Sequence, residues 1–69
     1  MLDMSTVESY RPLLMTLAYR MLGSLSEAED IVQDALADYA MIVDRDSIRH
    51  EKAYLVRMVT NRSLKLKQS

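Results

Sequence analysis

The sequence predicts an all-α fold, a compact bundle of three main helices, on three observations. Apolar residues recur at intervals of three and four in three successive segments, as expected of helices with one buried stripe. No segment alternates polar and apolar residues over a useful length, as a half-buried strand would. The single Gly and the single Pro fall where a helix would stop or restart, and the polar stretch "DRDSIRH" separates the last two segments.

Helix one is expected over about residues 5–22. Leu13, Leu17 and Met21 share one line, with Leu14, Ala18 and Leu22 beside them. Ser5 and Glu8 have capping-box spacing, Pro12 either kinks the helix or restarts it, and Gly23 supplies the stop. Helix two is expected over about 27–43. Ser26 and Glu29 repeat the capping-box spacing, and Ile31, Val32, Ala35, Leu36, Tyr39, Ile42 and Val43 follow at helical intervals. Helix three is expected over about 51–67, capped by Ser47 or His50, with Leu55, Val56, Val59 and Leu66 facing the core.

A chain of 69 residues makes one domain, and one so small buries only about 60% of the surface its unfolded chain exposes. The lack of Cys excludes disulfide staples, zinc fingers and thiol catalysis, and fits a reducing cytoplasm. No apolar run approaches the roughly 20 residues of a membrane span. The start "MLDMSTVESY" lacks the basic and apolar regions of a signal peptide, so a cytoplasmic, unprocessed chain is expected.

The net charge of −1 conceals a division. Residues 1–46 carry nine acids against three bases, and residues 47–69 carry six bases against one acid. Two surfaces with different partners follow, the basic one being the candidate for phosphate.

Residues 24–44 contain Glu27, Glu29, Asp30, Asp34, Asp38 and Asp44 and no Lys or Arg. On a helical wheel, the face opposite the apolar stripe holds Asp30, Gln33, Asp34, Ala37, Asp38 and Met41. Solvated faces usually pair acids with bases, whereas Asp30, Asp34 and Asp38 are i, i+4 neighbours that repel by roughly 0.2–0.5 kcal/mol a pair. The helix dipole accounts only for Glu27, Glu29 and Asp30 in the first turn. A partner presenting Arg or Lys around an apolar knob accounts for the rest, with Ala37 and Met41 receiving the knob.

Metal binding and catalysis fare worse, and no cofactor is expected. Bundle metal sites draw Glu and His from several helices, and the one His is His50. Asp44 and Asp46 begin like a calcium loop, but Gly is absent from the sixth position and Leu55 stands where the bidentate Glu belongs. A lone His without a nucleophile around it makes no hydrolytic triad, so no enzyme is expected.

The outward face of helix three carries Tyr54, Arg57, Asn61, Lys65 and Gln68, flanked by Arg62 and Lys67. Lys and Arg bind phosphate, Asn can bond a base edge, and an aromatic ring can stack on an unpaired base. Arg45, Arg49 and His50 in the preceding loop add to this nucleic-acid reading. The competing reading packs Tyr54 against the bundle and leaves the bases as solubilising charges.

The motifs "AYRMLGS", "AEDIVQDA" and "AYLVRMVTN", in that order, resemble region 2 of bacterial RNA polymerase sigma factors of the extracytoplasmic-function branch over residues 10–69. The resemblance implies that the "DIVQDA" helix docks on the clamp coiled coil of the polymerase β′ subunit through Asp30, Gln33, Asp34 and Asp38. It implies that the following loop and third helix open and read the minus-ten element. They would capture an extruded non-template base, with Asn61 at the reading position and Arg57, Arg62 and Tyr54 beside it. An anti-sigma factor is a further implied partner. Lys65 stands where many relatives have Asp and Lys67 where they have Leu, while Leu36 and Tyr54 occupy positions often filled by Phe and Trp. The region 4 helix-turn-helix is absent from these 69 residues, so a fragment or excised domain is expected. The alternative is a small helical interaction or dimerisation module that never touches DNA.

Overall fold

A computed structural model describes residues 7–42 and 50–68. Three helices, α1 (Arg11–Leu22), α2 (Leu25–Ala40) and α3 (Glu51–Gln68), each pack on the other two, and no strand occurs among the described residues.

The first helix does not run unbroken from residue 5. Val7 and Glu8 are helical, Ser9 and Tyr10 form a turn closed by the Tyr10 N–H donating to the Val7 carbonyl at 3.1 Å, and α1 begins at Arg11. Pro12 falls in its first turn, where a missing N–H costs nothing, so the proline restarts the helix. The Arg11 guanidinium donates to both carboxylate oxygens of Glu8, at 2.8 and 3.1 Å, and holds that carboxyl below its usual range. Ser5, the other half of the expected capping box, lies outside the described residues.

Gly23 ends α1 at φ 70°, its N–H donating to the Tyr19 carbonyl at 2.8 Å. A Cβ there would meet nothing within 4 Å, so a substitution costs backbone strain alone, about 1–2 kcal/mol. The chain then turns straight into α2, whose cap is Ser24 rather than the expected Ser26. The Ser24 Oγ accepts the Glu27 N–H at 3.3 Å, and Ser26 lies inside the first turn. Ser24 with Glu27 has the same spacing as Ser26 with Glu29, and the left-handed glycine selects the earlier pair.

At its other end α2 stops at Ala40, short of the expected 43. The Met41 N–H donates to the carbonyls of Asp38 and Tyr39, and the Ile42 N–H to that of Tyr39, tightening the last turn. Val43 lies outside the described residues, as does Ser47, one of the two expected caps of α3. The other, His50, stands just before α3, its carbonyl accepting the Tyr54 N–H at 2.9 Å.

Val7, Leu14, Ala18, Ala28, Val32, Ala35, Leu36, Tyr39, Leu55 and Val59 form one core. Three of these ten are alanines, Ala18 on α1 and Ala28 and Ala35 on α2, all fully buried. The α1 stripe lies one residue further round than expected: Leu14 and Ala18 are buried, whereas Leu13 is 42% exposed. On α3 the buried line is Leu55, Val59 and Ser63, a strict i, i+4 series, and Leu66 is left 38% exposed. Ser63 is thus a polar residue in an apolar line, its Oγ buried without a hydrogen-bond partner among the described residues.

Candidate functional site

Helix α2 turns its apolar stripe inward and so presents Asp30, Gln33, Asp34, Ala37, Asp38 and Met41 together on its outer surface. All six are exposed, and Met41 at the cap is 80% exposed. The acids, the amide and the two apolar groups make the continuous face that the wheel predicts.

One part of the expectation needs correction. No base on α2 neutralises these acids, but Arg62 of α3 reaches across and pairs with Asp38. Asp38 occupies the last turn of α2, which carries no base of its own and where the helix dipole disfavours a negative charge. Arg62 offsets both that conflict and the repulsion from Asp34. Both partners are substantially exposed, so the bridge contributes at most about 1 kcal/mol. Asp30 and Asp34 have no ion-pair partner among the described residues.

The two charged faces therefore meet along the α2/α3 seam. Ile31, Asp34, Arg62, Lys65 and Leu66 line a groove there, with the two apolar side chains set among an acid and two bases. Leu66 escapes the core because it faces this groove, beside Ile31.

Nearer the start of α3, Tyr54, Arg57, Met58 and Asn61 line a pocket of about 240 Å³. It brings together a ring, a cation, a thioether and an amide from positions separated by three, one and three residues, so they occupy adjacent rows of one helix surface. Tyr54 is partly covered and partly free: it is 38% exposed, and its ring meets the Tyr39 ring at a centroid distance of 5.7 Å and a tilt of 52°. The ring thus packs partly against the bundle and leaves part of its surface open. His50, Arg57, Asn61, Lys65, Lys67 and Gln68 are exposed. Arg62 is drawn to the seam by Asp38, and Arg45 and Arg49 lie outside the described residues.

Sequence reasoning missed one contact near this pocket. The Tyr39 hydroxyl, on a side chain only 1% exposed, donates to Glu51 Oε2 at 2.6 Å. Tyr39 reads from sequence as one more core residue of α2, and nothing in the intervening stretch signals that its oxygen meets the first turn of α3.

None of the described helices is long and apolar enough to cross a membrane. No curated protein and no solved structure matches the chain. The profile of sigma-70 region 2 matches residues 6–69, a span that contains all three helices, the acidic face and the basic face. The chain belongs to the sigma-70 region 2 family, the non-catalytic domain through which transcription initiation factors bind core RNA polymerase and promoter DNA.

Proposed function

We propose that this chain is region 2 of an extracytoplasmic-function sigma factor, acting in the cytoplasm, with one partner for each charged face. Asp30, Gln33, Asp34, Ala37, Asp38 and Met41 dock on the basic clamp coiled coil of the β′ subunit. Tyr54, Arg57 and Asn61 capture and read an extruded non-template base of the minus-ten element and so help to keep it melted. Arg45, Arg49, His50, Arg62 and Lys65 attract the flanking phosphates, and an anti-sigma factor would compete for one or both faces. The observation that carries the DNA half is the pocket in which a ring, a guanidinium and an amide converge. The ring can stack, the guanidinium can hold a phosphate, and the amide can offer a base edge one donor and one acceptor.

The isolated chain should bind duplex DNA poorly, since its acidic face repels the phosphates its basic face attracts. Held on core polymerase, it should bind single-stranded non-template minus-ten DNA better. Capture by an immobilised clamp coiled coil, followed by anisotropy titration with labelled duplex and single-stranded oligonucleotides over a salt series, tests both halves. Tight, salt-insensitive duplex binding by the free chain would contradict this reading. Failure to bind the coiled coil would leave the chain as a helical interaction or dimerisation module.

A further inference from the structure

Residues 39, 51 and 54 form a small assembly at the junction of α2 and α3. Glu51 is the one acid of α3, and it stands one turn before Tyr54 on the helix that carries the proposed base pocket. Its carboxylate is bonded by the Tyr39 hydroxyl at 2.6 Å, and the buried ring of Tyr39 supports the Tyr54 ring at 5.7 Å.

We propose that Tyr39 is a positioning residue for DNA capture: it fixes the Tyr54 ring at the pocket wall and ties the Glu51 carboxylate back against α2, away from DNA phosphates. The inference rests on the base-capture reading above, and it adds to it a residue from the helix otherwise assigned to the polymerase.

The bland alternative is that Glu51 complements the α3 dipole and that its bond to Tyr39 only joins two helices. The two accounts differ in what happens when the hydroxyl is removed. A carboxylate without its donor is free to turn toward the exposed His50, Tyr54 and Arg57 of the same helix end. There it repels the incoming backbone at a range of about one Debye length, 8 Å at physiological salt. A bond that only joined helices would cost stability and leave no electrostatic signature on DNA binding.

The test uses the chain bound to core polymerase and a labelled single-stranded minus-ten oligonucleotide, with Tyr39→Phe, Glu51→Gln, the double variant and Tyr54→Ala. Tyr39→Phe should weaken DNA binding about three- to fivefold at low salt, less at high salt, with affinity for core polymerase unchanged. Adding Glu51→Gln to Tyr39→Phe should restore most of the loss, because the released side chain is then uncharged. Glu51→Gln alone should be near neutral, since the amide oxygen still accepts the Tyr39 hydroxyl. Loss of binding in Tyr39→Phe that the second change does not relieve, or no loss at all, overturns the positioning role. Full binding by Tyr54→Ala would instead overturn the base-capture reading itself, so the two failures are told apart.

Discussion

The outer faces of α2 and α3 are built on helices of similar length in the same small bundle, yet they spend their exposed positions differently. The α2 face repeats one kind of charge at i, i+4 spacing with apolar groups between, and Asp30 and Asp34 have no ion-pair partner among the described residues. The α3 face mixes cations with a ring and an amide, and sets the ring, the amide and one guanidinium round a pocket. A row of like charges gives long-range attraction and register on an oppositely charged surface. A mixed cluster gives short-range discrimination between chemically distinct edges. The same 69 residues can thus supply strength on one side and selectivity on the other, and the Asp38–Arg62 bridge is where the two meet.

The largest expected effect breaks the acidic side. Asp34→Lys would replace attraction by repulsion at the centre of the proposed docking face and should weaken core polymerase binding about tenfold, roughly 1.4 kcal/mol. The helix itself should survive, because the introduced ammonium would lie between Asp30 and Asp38 at favourable i, i+4 spacing. Circular dichroism checks that. Since Asp34 also lines the seam groove with Arg62 and Lys65, Asp30→Lys, outside that groove, serves as the companion variant.

The next effect sharpens the basic side. Asn61→Ala should compress the difference between preferred and disfavoured minus-ten sequences by roughly 1–3 kcal/mol while changing the salt slope little. Titration of a minus-ten oligonucleotide library over a salt series reads both quantities. Arg57→Ala should weaken all sequences alike and reduce the salt slope by up to about one unit. Arg62→Ala should reduce it less, because Asp38 already offsets that charge, and Asp38→Asn should bring the two arginines closer together.

How much of this the sequence carried follows from which interactions are local. The three helices, the composition of both faces and the Gly23 stop were legible, because periodicity and capping act within a few residues. The choice of Ser24 over Ser26 was not, since both spacings satisfy the same rule and only the geometry after Gly23 separates them. The exposure of Leu66 and the burial of Ser63 were hidden for a different reason. They depend on how α3 is rotated against two neighbours, and hydrophobicity ranks the pair the wrong way round. The contacts Asp38–Arg62 and Tyr39–Glu51 link residues 24 and 12 apart, and charge pattern alone cannot choose between possible partners at such separations.

A smaller effect follows from that misranked serine. Ser63→Ala removes a buried hydroxyl that has no partner among the described residues and adds a better helix former, so it should stabilise the fold by about 1 kcal/mol. Thermal unfolding should show a midpoint raised by about 4–8 °C. A lowered midpoint would mean that the hydroxyl finds an acceptor in solution, and neither charged face would be affected.

The central claim is that the two faces serve separate partners, and one paired measurement tests it most directly. Affinity for core polymerase and preference among minus-ten oligonucleotides are determined for the parent chain, Asp34→Lys and Asn61→Ala, the second with enough polymerase to saturate each variant. The account predicts a crossed result. Asp34→Lys should lose polymerase affinity and keep its sequence preference once bound, while Asn61→Ala should keep polymerase affinity and lose preference. If Asn61→Ala lowers every sequence equally, or if Asp34→Lys leaves polymerase affinity unchanged, the assignment of that face is wrong.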